Sequence, residues 1–169
     1  SNSVKKILSL KSKSGLNNYK EIAPKNILEK VNTPKDSLLF SKAMESAITL
    51  VKNTDEILPL SANKKYLHVS FGNNKNSEYL TNKMDLYVDI EKFESDDYSS
   101  IYNKTDYDAI IISYHGSSSS PYASNIIPND IVSEINNISK SNNVILNLFL
   151  NPYSLNSFKS IDNFESIII

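Results

Sequence analysis

The chain has 169 residues, of which 40% are hydrophobic and 22% charged, so it can form the core of one domain of ordinary size and wholesale disorder is not expected. Its net charge is −1 and all of its basic side chains are lysine. Nucleic acid is therefore not an expected partner, since specific base contacts favour arginine and a basic surface. Cysteine is absent, which excludes a disulfide framework, a thiolate nucleophile and a Cys-ligated zinc site.

The sequence also bears on membranes and on the cellular compartment. No apolar run approaches the roughly 18–20 residues that a membrane-spanning helix requires, and we expect neither a membrane span nor a signal peptide. A cysteine-free chain suits the cytosol and the periplasm equally, so the compartment stays open.

The first 60 residues predict two helices joined by a connector. Residues 3–13 place a thin apolar stripe on one helical face, and Gly15 is the expected end of that helix. Pro34, preceded by the N-cap candidate Thr33, begins a second helix with a wider stripe. The apolar positions of this second stripe are Leu38, Leu39, Ala43, Ala47, Ile48 and Val51. Both helices are therefore expected to pack against another body.

From residue 61 onward, strand-like and helix-like segments alternate. The predicted strands are 66–71, 86–90, 108–114 and 144–150, and 166–169 predict the start of another. The predicted helical segments are 77–84, 96–104, 128–140 and a short one near 155–159. Strands that lack a polar face and alternate with helices predict an α/β fold, with a parallel sheet covered on both sides. We expect the chain to stop inside this fold.

Two loops at the carboxyl ends of strands, where ligands bind in open α/β sheets, give weak functional signals. The loop 71–77, FGNNKNS, has a single glycine, too few for a phosphate-binding or dinucleotide-binding loop, so a plain turn is favoured. In the loop Asn151-Pro152-Tyr153, the proline fixes a turn and we expect the tyrosine to pack under the next helix.

A third loop, 115–125 with the sequence HGSSSSPYASN, is more informative. His115 beside a run of serines suggests a nucleophile and its base, but an orienting third group and a G-x-S-x-G elbow are both missing. A solvated loop without chemistry, covalent catalysis, and contact with a ligand or another domain all stay open. If the loop contacts substrate, His115 and Ser117 are the candidate residues.

The remaining candidate side chains favour structural interpretations. His68 lies inside a predicted strand, and two histidines without a suitably spaced carboxylate supply no metal ligand set. The pairs Asp55-Glu56 and Asp96-Asp97 lie on turns, and adjacent carboxylates cannot face each other across a cleft as those of glycosidases do. We therefore predict no metal and no cofactor.

Several stretches of the chain resemble bacterial glycoside hydrolase family 3. The last barrel helix of that family is similar to residues 3–16, SVKKILSLKSKSGL. The junction of the family, a small-residue helix ending in LLKN, a short spacer and LPL, resembles residues 46–60, SAITLVKNTDEILPL. Later strands of the family's second domain are similar to YDAIIISYHG and VILNLFLNPYSL. The resemblance spans nearly the whole chain.

This resemblance implies a domain organisation. Residues 1–15 would be the tail helix of a preceding TIM-like catalytic barrel, 16–60 the linker and connecting helix, and 61–169 most of a flavodoxin-like three-layer α/β/α sandwich with a mostly parallel sheet, truncated at its C-terminus. The connecting helix would cover the sandwich, and Leu58-Pro59-Leu60 would anchor the hinge. The implied partners are the barrel of the same parent chain and the carbohydrate substrate of that parent.

One loop departs from the family's two-domain β-glucosidases, which carry an acidic cluster with the general-acid glutamate there, followed by an Asp-Arg pair. Residues 114–127, YHGSSSSPYASNII, contain neither a carboxylate nor an arginine, although general acid catalysis needs a protonatable group near the leaving oxygen. This departure favours the family's β-N-acetylhexosaminidases, whose nucleophilic aspartate and histidine-containing acid/base loop lie in the barrel.

The implied function is thus retaining hydrolysis of terminal N-acetyl-β-hexosaminides by the parent. The fragment itself would be catalytically silent and structural. Three alternatives stay open: an accessory domain of a β-glucosidase, a free-standing flavodoxin-like binding or signalling domain, and a serine hydrolase that uses His115.

Overall fold

The computed structural model describes residues 2–21, 24–73, 77–116 and 125–169. It contains two compact units, Ser1–Ser46 and Ala47–Ile169. The helices of the first unit and the connection to the second are α1 (Asn2–Lys13), α2 (Ile27–Val31) and α3 (Pro34–Ala47). The second unit contains a six-stranded sheet with helices.

The N-terminal helices begin and end for local reasons that the sequence predicted in part. Gly15 follows α1 with φ +73°, as expected of a helix-terminating glycine. Thr33 begins α3: its backbone N–H donates to Asp36 Oδ2 at 2.9 Å, and the Asp36 N–H donates back to Thr33 Oγ1 at 3.3 Å. This reciprocal pair satisfies two of the free N–H groups at the helix start.

The prediction that α3 extends to Val51 is wrong. The helix ends at Ala47, and Leu50–Asn53 forms a strand. Thr49 exchanges two backbone hydrogen bonds with Ile169, at 2.7 and 3.0 Å, so pairing with a strand distant in sequence overrides the helical period of the apolar residues.

The sheet of the second unit has the strand order β1-β6-β5-β4-β2-β3. Its strands are β1 (Leu50–Asn53), β2 (Lys65–Gly72), β3 (Asp89–Lys92), β4 (Ala109–His115), β5 (Val144–Phe149) and β6 (Ser166–Ile168). Strand β1 is antiparallel to β6, and the other neighbours are parallel. Among the described residues of this unit, α-helices are formed by α4 (Ser77–Met84) and α5 (Asn129–Ser139). An α/β fold with a mostly parallel sheet is thus confirmed.

Most predicted elements lie within a few residues of those observed. The second predicted strand is displaced, because α4 continues into a turn in which the Tyr87 N–H donates to Met84 O, and β3 begins only at Asp89. The segments predicted as short helices near 96–104 and 155–159 contain 3-10 helices, Tyr98–Ile101 and Pro152–Ser157. The expectation that Tyr153 packs under that second helix is wrong, since its side chain is 74% exposed.

The two faces of the sheet carry separate apolar clusters. The cluster on the α5 face is the larger, and it includes Leu67, Val69, Ile110, Ile112, Val132, Ile135, Ile138, Val144, Leu146 and Phe164. The cluster on the α4 face consists of Tyr66, Val88, Ile90, Ala109, Ile111 and Ile145, with Ile57, Leu58, Leu60 and Met84 packed partly buried against it. Alternate residues of β2 and β4 therefore enter different layers, as expected for a sheet covered on both faces.

The segment between β1 and β2 is held by one asparagine. Asn53 Nδ2 donates to Leu58 O and Asn53 Oδ1 accepts from the Leu58 N–H, both at 3.0 Å. The peptide bond before Pro59 is cis, and Asp55 and Glu56 both have positive φ, near +50°. Leu58 and Leu60 are half-buried against the α4-face cluster.

Candidate functional site

The strand order locates the expected ligand position of the second unit. From β2 the chain proceeds to β3 on one side, whereas β5 and β6 lie on the other side of β4. The order therefore reverses between β2 and β4, and ligands of open α/β sheets bind at the carboxyl ends of strands beside such a point. Gly72 of β2 and His115 of β4 are paired at that end.

Gly72 allows β2 and β4 to end close together. It has φ +81°, and a Cβ atom at this position would lie 2.4 Å from the carbonyl oxygen of His115. Because this obstacle is backbone, a larger residue would have to displace β4 itself.

His115 is placed at this end of the sheet but is largely covered. Its side chain is 9% exposed, and its ring stacks on Phe149 with a centroid distance of 4.7 Å and an interplanar angle of 4°. Burial lowers the pKa of the imidazole below its ordinary value, so the neutral form is favoured. Its Nε2 atom is buried and has no hydrogen-bond partner among the residues that the structure describes. Ser117, the other predicted contact, lies outside the described residues.

The sequence did not reveal a second polar cluster on the same face. His68 contacts two hydroxyl groups: its Nδ1 lies 2.6 Å from Thr81 Oγ1 of α4, and its Nε2 lies 2.9 Å from Ser113 Oγ of β4. Burial, together with the positive charges that His115 and Lys92 can carry, lowers the pKa of His68 to about 4. The imidazole is therefore neutral at pH 7.

Ser113 Oγ and His68 Nε2 lie as close together as a catalytic nucleophile and its base. Both side chains have no exposed surface, so a substrate cannot reach the serine hydroxyl. This burial supports the structural interpretation of His68. The pairing follows from strand register: Ser113 lies two residues beyond Ile111, the register partner of His68, and points to the same sheet face. That register cannot be read from the sequence of either strand alone.

Two crevices open at the carboxyl end of β2, and Ser70, Asp96 and Tyr98 border both. The smaller, about 280 Å³, lies beside the first turn of α4 and is also lined by Ser77, Glu78, Lys92, Phe93, Glu94 and Ser95. The larger, about 410 Å³, is also lined by Phe71, Gly72, Asp130, Ile131 and Glu134. Carboxylates outnumber basic groups in both linings, so neither crevice suits a phosphate.

The acidic side chains near the two crevices make an ion pair and a helix cap. The ammonium group of Lys92 is paired with Glu94 at 2.9 Å. Asp97 begins the 3-10 helix Tyr98–Ile101 by accepting a hydrogen bond from the Ser99 N–H at 3.1 Å. Within the described residues, no group of three or more His, Cys, Asp or Glu side chains is arranged to hold a metal ion. Nor does any helix in those residues have the length and apolar character needed to cross a membrane.

Comparisons with known proteins find similarity in structure only. No protein-family model matches the sequence, and no curated protein matches it either. A solved β-glucosidase from Listeria innocua is similar with a TM-score of 0.58 and 15% identity, over 96% of this chain and 26% of that chain. The β-glucosidase D2-BGL from Chaetomella raphigera has a TM-score of 0.57 and 10% identity, over 81% and 26%.

A mutant of the exo-1,3/1,4-β-glucanase ExoP from a Pseudoalteromonas species has a TM-score of 0.52 and 14% identity, over 80% of this chain and 27% of that one. Identities this low show a shared fold and no more. The chain spans about a quarter of the length of these solved proteins. Its fold is therefore that of one region of larger glycosidase chains.

Proposed function

We propose that this chain is the C-terminal α/β domain of a family 3 glycoside hydrolase, together with its connector, and that it braces a catalytic barrel. The observation that carries this proposal is the structural match to β-glucosidases, which covers up to 96% of this chain and only 26% of theirs. The junction 46–60 supports the same assignment, because the segment that resembles the family motif is the one that Asn53 and Leu58 hold together.

In this proposal, residues 1–15 are the tail helix of the barrel, 16–60 the linker and connecting helix, and 61–169 the sandwich. Strand β1 lies within the linker range and pairs with β6, so the linker contributes one strand to the sheet of the sandwich.

The exposed side chains of the first unit support a barrel as the partner. None of its described residues is buried. More than half of the surface is exposed for Val4, Ile7, Leu8, Leu38, Leu39 and Phe40, which lie on α1 and α3. Helices of this length gain most of their stability from packing an apolar face, and a preceding barrel would supply the missing surface.

The proposed role is structural rather than catalytic. Residues 114–127 contain no carboxylate, and burial favours the neutral form of His115 at the carboxyl end of β4. Retaining glycosidases need a proton donor at the leaving oxygen and a nucleophile, and we assign both to the proposed barrel. The substrate class that fits a barrel-borne acid is a terminal N-acetyl-β-hexosaminide, cleaved by double displacement.

A second candidate is an accessory domain of a β-glucosidase. The names of two of the solved neighbours favour it, since these are β-glucosidases. The absence of a carboxylate from residues 114–127 favours the hexosaminidase.

Within this proposal, His115 and Ser117 are the candidate substrate contacts. The position of His115 supports the first of them, because it ends β4 at the carboxyl edge of the sheet, beside the point where the strand order reverses.

The test compares two proteins on two chromogenic substrates, p-nitrophenyl N-acetyl-β-glucosaminide and p-nitrophenyl β-glucoside. The 169-residue chain is expected to hydrolyse neither, and the parent with its upstream barrel to prefer the glucosaminide. A parent that prefers the glucoside would replace the hexosaminidase assignment with the second candidate. Turnover by the purified chain itself would contradict the structural role, and a parent without a barrel would contradict the family assignment.

The contact role of His115 has its own variant. In the parent, His115→Ala is expected to raise KM several-fold and to leave kcat within about twofold. This is the result expected when a lost contact stabilised the bound substrate and the transition state equally. Unchanged KM and kcat would remove His115 from the site.

A further inference from the structure

Helix α4 is attached to the sheet in an unusual way. The two side chains that it buries are Ser77 and Thr81, which both carry hydroxyl groups. Leu80 and Met84 are half-buried, and Tyr79 is exposed. With so little apolar surface covered, hydrogen bonds to the sheet must contribute much of what holds the helix in place.

The hydrogen bonds around His68 determine its protonation state. Thr81 Oγ1 donates its single proton to the Ser77 carbonyl oxygen at 3.0 Å, so toward His68 it can only accept. The Nδ1 atom of His68 therefore carries the proton, and Nε2 accepts from the Ser113 hydroxyl. With its proton on Nδ1, the neutral imidazole donates to Thr81 and accepts from Ser113, so both ring nitrogens have a partner.

A proton added to Nε2 disrupts this arrangement. The Ser113 hydroxyl must then turn to accept from Nε2–H, which removes the acceptor of its own proton, and a positive charge is buried where no surface is exposed. The charged groups that act on His68 are His115 from β4 and Lys92 from β3, and both oppose its protonation. The carboxylates of Glu78 on α4 and Glu94 beyond β3 act on Lys92.

We propose that His68 is an acid-sensitive clasp: its neutral ring binds α4 to β2 and β4, and its protonation releases α4 and opens the crevice that Ser77 and Glu78 line. This inference does not depend on the glycosidase assignment. It assigns the buried histidine a conformational role, with Thr81 as the contact that is lost from the helix and Ser113 as the contact that is disrupted in the sheet.

The direction of the pH effect follows from linkage. His68 titrates near 4 while clasped and near its ordinary pKa of 6.5 once α4 is released. The clasp therefore contributes fully above pH 6.5, and its contribution is lost as the pH falls from 6.5 toward 4. The equilibrium constant for release rises about tenfold per pH unit within this window, on the order of 100-fold in total.

The test is amide hydrogen exchange of the full 169-residue chain at pH 7.5 and about pH 5.0, corrected for the intrinsic exchange rates. Protection of residues 77–84 is expected to fall roughly 30-fold at the lower pH. The reason is that pH 5.0 lies about 1.5 units below the ordinary pKa of 6.5 that His68 regains when α4 is released. Protection of residues 129–139 should change by less than about threefold, because α5 has no such clasp. Equal loss of protection in the two helices would overturn the proposal.

The matched variants are His68→Gln and His115→Gln. An amide offers a donor and an acceptor at nearly the spacing of the two ring nitrogens but does not titrate. The first variant should therefore lose the acid response of residues 77–84, while the second should retain it. An acid response that persists in His68→Gln would overturn the proposal.

Should His68→Gln fail to fold, an NMR titration of His68 in the unmodified chain provides the second measurement. Its midpoint is expected near 4, because the buried ring disfavours the charged form. A midpoint at or above 6.5 would contradict the clasp.

Discussion

The two faces of the sheet hold their helices by different means. On one face, α5 inserts Val132, Ile135 and Ile138 into a continuous apolar cluster. On the other, α4 contributes two buried hydroxyl groups and the half-buried side chains of Leu80 and Met84. Apolar packing is non-directional and insensitive to pH, whereas hydrogen bonds to an imidazole are directional and depend on its protonation. The same sheet thus carries α5, which apolar packing holds in place, and α4, which directional hydrogen bonds help to hold.

The largest expected effect is on the α5 face. Ile135→Ala should lower the free energy of unfolding by about 4 kcal/mol, because the isoleucine is fully buried and its removal leaves a cavity. Urea denaturation followed by circular dichroism measures the change. The matched variant Met84→Ala on α4 should cost about 1 kcal/mol, since that side chain is half-buried. Similar losses for the two variants would remove the proposed difference between the faces.

The polar side of the comparison is tested by Thr81→Val, which preserves shape and removes the acceptor of the His68 Nδ1–H group. We expect a loss of about 2 kcal/mol in the free energy of unfolding, the cost of a buried donor without a partner. Ser139→Ala on α5 is the control: the Ser139 hydroxyl donates within its own helix, to Asn136 O at 3.0 Å. That variant should change stability by less than about 0.5 kcal/mol. If the control costs as much as Thr81→Val, the clasp has no special contribution.

The smallest effect concerns the segment that packs Leu58 and Leu60 on the α4 face. Asp55 has φ +49°, a conformation that disfavours a side chain with a Cβ atom. Asp55→Gly is expected to raise the melting temperature by a few degrees, equivalent to about 1 kcal/mol. Asp55→Ala keeps the Cβ atom and should give no such gain, which separates backbone strain from loss of the carboxylate. A gain in both variants would point to the charge instead.

The sequence predicted the central strands of the fold best. The runs at 108–114 and 144–150 are so uniformly apolar that only a strand covered on both faces accommodates them, and β4 and β5 occupy these positions. Strand β1 was missed because Ile48 and Val51 continue the helical period of α3. Its partner β6 lies more than a hundred residues further along, and a local pattern carries no information about such a pairing.

The candidate site was predicted less completely. His115 was recognised from its position beside a strand end, and that position is where the strand order reverses. Its stacking on Phe149 and the link between His68 and Ser113 depend on the register of neighbouring strands. The register of two strands is fixed by the whole sheet. The sequences of the two strands alone therefore do not reveal which of their side chains are neighbours.

The pairing of β1 with β6 brings Thr49 and Ile169 into direct hydrogen-bonded contact, so this edge of the sheet joins residues more than a hundred positions apart. Closing a loop of this length costs conformational entropy before the pairing is gained. We therefore expect β1 to join the sheet late in folding.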